Sequence, residues 1–348
     1  MEKSARPVQP GMASDRYRPL SQNDMERIHE AALTVLEDVG MGQAIDSCIE
    51  VCTAAGAVYG EDGRLRFPRG LVMDTVKNAA RNLTIHGQDP SHDMTLSGNN
   101  VHFGTAGAAV HIVDVEKREY RESVLQDLYD AARIVESLDN VHFFQRPLVA
   151  RDIADPEELD INTLFACVMG TTKHVGTSFS VAESVAPGLE LLHMVAGGEA
   201  AWRARPFVSN SNCFVVPPLK FAEDACRVLE GCVRGGMPVL LLSAGQAGAT
   251  APAAIAGAVV QAVAEVLAGL VYVNAISRGH PAIFGTWPFV SDLRTGAMSG
   301  GSGEQALLSA ACAQMSHFYD LPGGAAAGIA DSKMPDVQAG YEKGITNV

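Results

Sequence analysis

Residues 207–243, FVSNSNCFVVPPLKFAEDACRVLEGCVRGGMPVLLLS, carry the pattern that decides the fold. An apolar run at 207–213 has the length of a buried strand, 220–234 has helical periodicity, and a second apolar run follows at 238–243. Working outward, the same unit recurs. Further strands are expected at 101–104, 141–146, 174–179, 281–286 and 323–329. Helices are expected near 123–138, 157–170, 184–197, 252–276, 303–319 and 335–347. Short buried strands alternating with helices predict a parallel sheet with helices outside it. An open doubly wound sheet would carry a Gly-rich phosphate turn after its first strand, and no G-x-G-x-x-G follows one here. A (β/α)8 barrel needs no such turn and keeps its chemistry on the loops after its strands. Here the strands end in polar or aromatic residues: Gln145-Arg146, Ser209 to Asn212, Ser243 and Thr286-Trp287. The expected fold is therefore α/β, a (β/α)8 TIM-type barrel. Seven βα units are one short of closure, and the chain stops on a helix-like run after Gln338. The barrel is expected to be incomplete at its C-terminus and the chain truncated.

Upstream, residues 1–20 read as a flexible arm, 21–100 as an N-terminal accessory region of helices and a β-hairpin, and 101–348 as the barrel lacking its last unit. Ser21-x-x-Asp24 resembles a capping box with Asp for the usual Glu, and Gly40 can close the helix it opens. A second helix is expected from Asp46 to Ala55, and Pro68 suits the first position of a third. Alternating patterns at 83–115, broken by Ser-Gly-Asn-Asn, predict short strands. Ser123-x-x-Gln126 reads as the capping box of the helix at 123–138.

Composition narrows the class. Of 348 residues 47% are hydrophobic and 19% charged, enough apolar surface for a large core. A formal net charge of −14 disfavours nucleic acid and anionic membrane partners. Seven cysteines without C-x-x-C spacing, and no apolar leader, point to a cytoplasmic protein. Cys48 and Cys52 share a helix face and read as core thiols. Residues 251–275 are nearly all apolar but carry Gln261, Glu265 and Asn274, which fits a helix buried on both sides better than a membrane span. That burial could lie within the chain or in a subunit interface, and a homo-oligomer is expected.

Four segments then look familiar: FGTAGAAVHIVD (103–114), LDNVHFFQRPLVARDI (138–153), FGTWPFVSDLRTGAMSGGSGEQALL (284–308) and SKMPDVQAGYEKG (332–344). In this order they resemble the trimethylamine methyltransferase family. The resemblance implies a (β/α)8 barrel that demethylates a methylated amine and passes the methyl group to Co(I) of a separate corrinoid (cobalamin) protein, a reaction related to methanogenesis. Family members continue well beyond the point matching Val348. The trimethylamine enzymes proper carry pyrrolysine, whereas this sequence shows only standard residues. The branch without pyrrolysine resembles demethylases of quaternary amines such as glycine betaine, so a quaternary amine is the expected substrate. The alternative is a non-catalytic member that binds the amine or the corrinoid protein. An unrelated aldolase-type barrel would want a Lys for a Schiff base, and Lys173 alone approaches a strand, at its wrong end.

A quaternary ammonium has no lone pair or acidic N–H, so the protein must hold the cation, aim one methyl group and exclude water. Aromatic faces hold cations, each contributing roughly 0.5–2 kcal/mol. Phe143, Phe144, Trp287 and Phe289 lie at strand ends and are the candidates, with core packing as the ordinary reading for the first two. Arg146 could grip a substrate carboxylate or pair with Asp152 or Asp155. Asn210 and Asn212 share a strand face, and Asp331 follows the seventh strand. In the loop before the helix at 303, Gly300, Gly301 and Ser302 are the cofactor-facing candidates, Ser302 doubling as an N-cap. Scattered histidines (His102, His111, His142, His174, His280, His317) show no H-x-x-x-H pair, and no tightly bound metal is expected.

Overall fold

A computed structural model describes residues 17–347, so most of the expected N-terminal arm (1–16) and Val348 lie outside the described residues. Three helices come first: α1 (Gln22–Thr34), α2 (Asp46–Ala54) and α3 (Arg69–Asn78). The Ser21 capping box forms in full: Asp24 N–H donates to Ser21 Oγ, and Ser21 N–H donates to Asp24 Oδ2. The turn after α1 closes at Gly40, whose φ of 68° suits glycine. Two antiparallel hairpins follow, Leu83–Ile85 with Met94–Leu96 and His111–Asp114 with Glu119–Glu122.

Beyond them strands and helices alternate: α4 (Leu125–Glu136), β1 (Phe143–Gln145), α5 (Pro156–Gly170), β2 (His174–Thr177), α6 (Val185–Ala196), α7 (Glu199–Ala204) and β3 (Val208–Asn212). The series continues with α8 (Glu223–Arg234), β4 (Val239–Ser243), α9 (Ile255–Ile276), β5 (Ala282–Thr286), α10 (Gly303–Phe318), β6 (Gly323–Gly324) and α11 (Val337–Thr346). The six strands follow chain order along their sheet. β1 with β2, β2 with β3, and β5 with β6 pair in parallel. A doubly wound sheet would reverse that order part-way. Singly wound, parallel and helix-alternated, the fold is of the (β/α)-barrel type.

Two expected strands are shorter than the apolar runs suggested. The run at 101–104 makes one parallel bridge, Gly104 to Phe143, because Phe103 is tied to His142 through its own N–H and carbonyl. The run at 323–329 is paired only at Gly323 and Gly324, where Gly and Ala supply no side chains to pack. The capping box expected at Ser123 is also different. Asp127 accepts the Val124 N–H, while the buried Ser123 hydroxyl donates to the Val149 carbonyl.

The chain divides into two compact units. The first holds Asn82–Ser211 and Arg227–Val239. The second holds 17–81, Asn212–Cys226 and 240–347 of the described residues. In the first, Phe144, Val175 and Val208 from three adjacent strands are wholly buried together with Leu128, Ala132 and Leu164 from the helices. Gly170 lets α5 lie against α4: a Cβ there would meet the Ala132 methyl at 2.4 Å. Lys173, just before β2, is buried and donates to the Val135, Leu138 and Val141 carbonyls at 2.6–2.7 Å, so it caps the C-terminal end of α4. In the second unit α9 packs against α1, α2, α3 and α10. It is the one helix among the described residues long and apolar enough to cross a membrane, and it is buried almost throughout Ala258–Val273. It is the core helix of this unit. Cys48 and Cys52 are buried and form no disulfide.

Candidate functional site

Chemistry in a barrel of this type belongs at the carboxyl ends of the strands. In the first unit successive residues of a strand face opposite sides. Phe144, wholly buried, faces the helices, while the Phe143 ring lies over Gly104. Gln145, on the same side as Phe143, accepts the Ser211 hydroxyl on Oε1 at 2.8 Å. Its main-chain carbonyl accepts the Thr105 hydroxyl. Arg146 pairs with neither Asp152 nor Asp155: Asp152 accepts Leu125 N–H and Asp155 caps α5. Instead Arg146 donates from Nη2 to Ser178 Oγ at 2.7 Å, and its buried Nε has no partner. Burial lowers its pKa, opposed by Cys167 and Asp160 nearby. Asn210 is wholly buried.

The amino ends of the same strands hold a different network. His174 bonds through Nδ1 to the His86 carbonyl and through Nε2 to Ser209 Oγ, both at 2.8 Å. Since a carbonyl only accepts, Nδ1 carries the proton and Nε2 accepts from the serine. Burial pushes the His174 pKa down to about 4. Asp93 braces the neighbouring hairpin, accepting two bonds from Arg205 at 2.9–3.0 Å and contacts from His86 Nδ1 and Gly87 N–H. This end is built for stability, and Lys173 caps α4 there as a structural group.

In the second unit Asn212 donates its amide to the Ala225 carbonyl on α8, so it faces that helix. Trp287, half-buried just past β5, donates Nε1–H to the Gly324 carbonyl at 3.0 Å and its main-chain N–H to the Ser243 carbonyl at 2.8 Å. The indole is thus pinned by its edge across the ends of β5 and β6. Phe289, also half-buried, lies in a short parallel pairing with Gln246. Behind this edge sits Glu265 of α9, fully buried. Its carboxyl accepts Leu219 N–H at 2.8 Å and a Gln261 amide proton at 3.1 Å, and it lies 2.5 Å from the Ser243 hydroxyl. Burial raises its pKa, which the three hydrogen bonds only partly offset.

The structure brings Asp331 and the glycine loop together. Asp331 accepts Gly300 N–H at 2.7 Å and the Ser299 hydroxyl at 3.2 Å. Glu342 of α11 accepts Asp331 N–H, and a Cβ on Gly301 would meet the Glu342 carboxylate at 2.8 Å. Ser302 caps α10 through Gln305 N–H. The Gly300 N–H and the Ser299 hydroxyl are thus engaged by Asp331, and the Ser302 hydroxyl donates to the Ser299 carbonyl. No group of three or more His, Cys, Asp or Glu suited to a metal ion occurs among the described residues.

Sequence reasoning missed Gln145, Gly176 and Ser211 as a set, although a glycine inside a strand was a usable sign of a close approach. It noticed Glu265 only as a polar interruption in an apolar helix. Nothing local marks it as the carboxyl behind Ser243.

Comparison with known proteins adds the following. A family model described as trimethylamine methyltransferase matches residues 2–347. A trimethylamine methyltransferase of Desulfitobacterium hafniense is 31% identical over 327 residues, covering 94% of this chain and 66% of that protein. A glycine betaine methyltransferase of the same species is 29% identical over 342 residues, covering 97% and 70%. The chain thus spans about two thirds of the length of these relatives. Among solved structures, the monomethylamine methyltransferase of Methanosarcina barkeri aligns with a TM-score of 0.48 at 15% identity, covering 91% of this chain and 69% of that one.

Proposed function

This chain belongs to the trimethylamine methyltransferase family, and on that premise we propose that it takes a methyl group from a quaternary amine such as glycine betaine and hands it to Co(I) of a separate corrinoid protein. The methyl carbon loses its bond to nitrogen and gains one to cobalt. The nitrogen keeps the electron pair of the broken bond and leaves as a neutral tertiary amine, while cobalt supplies the pair for the new one. No general base is needed for this transfer. The protein's work is to hold the cation, orient it and keep water away.

The observation that carries the reading within the fold is Trp287. Its indole is fixed by the Nε1 hydrogen bond and only half-buried just past β5, where a quaternary ammonium would bind by cation–π attraction. Phe289 is the second aromatic there. The corrinoid is the acceptor substrate, brought by its own protein, and the loop of Gly300, Gly301 and Ser302 before α10 is the segment proposed to face it. The reading places a cytoplasmic homo-oligomer whose barrel portion, 101–348, carries the chemistry and whose 21–100 region is accessory.

The test is methylation of Co(I)-cobalamin, followed by absorbance, with glycine betaine, carnitine, proline betaine and trimethylamine offered separately. Methylation from one quaternary amine and none from trimethylamine is the expected result. Trp287→Ala should weaken that amine's binding by about 3- to 30-fold, from one desolvated cation–π contact. Silence with all four amines from folded protein would sink the reading.

A further inference from the structure

We propose that Gln305 is a positioning residue for the cation site: its buried side-chain amide holds the extended segment 287–291 so that Trp287 and Phe289 face the same way at the end of β5. The assignment rests on the quaternary-amine reading above. Past Thr286 the chain stays extended along the loop that leaves β4. The N–H groups of Trp287, Phe289 and Ser291 donate to the carbonyls of Ser243, Gly245 and Ala247 at 2.8, 2.9 and 3.2 Å. Alternate residues of a strand share a face, so Trp287 and Phe289 stand on one side, about 6–7 Å apart, and Pro288 on the other. Burial alternates to match: both aromatic residues are half-buried, and Pro288 between them is buried. At that spacing one cation can lie within about 6 Å of both rings.

The opposite edge of the segment has no strand beside Phe289 among the described residues. β6 pairs with β5 at Phe284 and Gly285. The loop before α10 joins this edge from Val290 onward, where Ser299 N–H donates to the Val290 carbonyl and Asp292 N–H to the Ala297 carbonyl. Gln305, 1% exposed on α10, fills the interval. Its Oε1 accepts Val290 N–H at 3.0 Å, and its Nε2 donates to the Pro288 carbonyl at 3.0 Å. In a parallel ladder one residue of a neighbouring strand makes this same pair of bonds, on either side of the residue it faces. The amide therefore takes the place of a strand residue opposite Phe289. Pro288 has no N–H to offer, so its carbonyl and the Val290 N–H are what this edge presents around Phe289, and the amide engages both. Two further bonds fix the glutamine itself. Its Nε2 donates to Ser309 Oγ at 3.1 Å, and its main-chain N–H donates to the Ser302 cap at 3.2 Å.

Calorimetry with tetramethylammonium, the bare cation, tests this on the whole chain. The parent should bind it, and Gln305→Leu should weaken binding about 3- to 30-fold, up to the loss of one ring contact. A glutamine that acts through the rings loses its effect once a ring is gone. Gln305→Leu added to Trp287→Ala should therefore cost less than about twofold more, whereas independent losses would multiply. Tryptophan fluorescence gives a second reading, because the other indole, Trp202, is wholly buried in the first unit. Acrylamide should quench Gln305→Leu more than the parent. If Gln305→Leu fails to fold, Gln305→Glu carries the same cycle, since it keeps the shape and the Val290 bond but opposes the Pro288 carbonyl. Its added charge would by itself draw a cation in, so a fall in affinity there comes from lost alignment. Unchanged or raised affinity in the folded variant, or losses that multiply, would overturn the positioning role and leave the quaternary-amine reading standing. A parent that does not bind tetramethylammonium would remove that reading, and this one with it.

Discussion

His174 joins two strands and one hairpin at the amino end of the first unit, and its protonation should unlock that junction. The ring is 3% exposed, donates from Nδ1 to the His86 carbonyl and accepts at Nε2 from Ser209. Its pKa falls from 6.5 to about 4 through burial. A depressed histidine pKa means that the unfolded chain takes up the proton first. Stability from this group is therefore full above pH 6.5 and is lost as pH falls toward 4. Taking 6.5 and 4 as the unfolded and folded values, the loss between pH 8 and pH 5 is about 2 kcal/mol, and it approaches about 3.4 kcal/mol at still lower pH. His29, His102 and His142 are also depressed by burial, so the parent's pH slope alone does not isolate His174. The assay is urea denaturation of the parent and His174→Gln at pH 8, 7, 6 and 5, comparing the difference between them at each pH. Gln is less stable than the parent at pH 8, and that gap should narrow by about 2 kcal/mol at pH 5. A gap that stays constant across the series would refute a neutral, hydrogen-bonded His174.

Three other outcomes follow from the same geometry. Lys173→Met keeps the aliphatic bulk but strips three carbonyls of their donor, and should destabilise the first unit by about 2–4 kcal/mol in thermal melts. Glu265 has a raised pKa, so its unfavourable contribution is absent at acid pH and grows as pH rises from the unfolded value toward the folded one. Glu265→Gln, which can donate to Ser243 and accept from Leu219, should flatten that dependence; Glu265→Leu should flatten it too, but lie about 2–4 kcal/mol below Glu265→Gln at both pH 5 and pH 8 by orphaning both groups, which denaturation at the two pH values checks. Gly104→Ala would set a methyl group 2.3 Å from the Phe143 ring, and should lower the melting temperature because a ring has little room to yield.

Much of the architecture was legible because hydrophobic periodicity is local. The helices expected at 157–170 and 303–319 appear as Pro156–Gly170 and Gly303–Phe318, and the Ser21 capping box needs only four consecutive residues. Apolar runs also announced the strands, but not their paired lengths. Pairing depends on a neighbour, as the single bridge at Gly104 shows. The helix cap at 124–127 slipped by one residue because Ser123 found a tertiary acceptor in Val149.

The candidate site divides along the same line. Polar and aromatic residues at the strand ends can be read from the order of residues alone, which is why Gln145, Arg146, Ser243 and Trp287 could be picked out. The family resemblance is legible in the same way, since four ordered segments need no coordinates. Which way each group faces, and what already satisfies it, depends on the folded arrangement. Asn212 spends its amide on a helix carbonyl, Gly300 gives its N–H to Asp331, and Glu265 stands behind Ser243. Gln145 lies on Gly176 although 31 positions separate them. Periodicity is carried by neighbours along the chain, whereas hydrogen-bond satisfaction is settled between residues that meet only when the strands align.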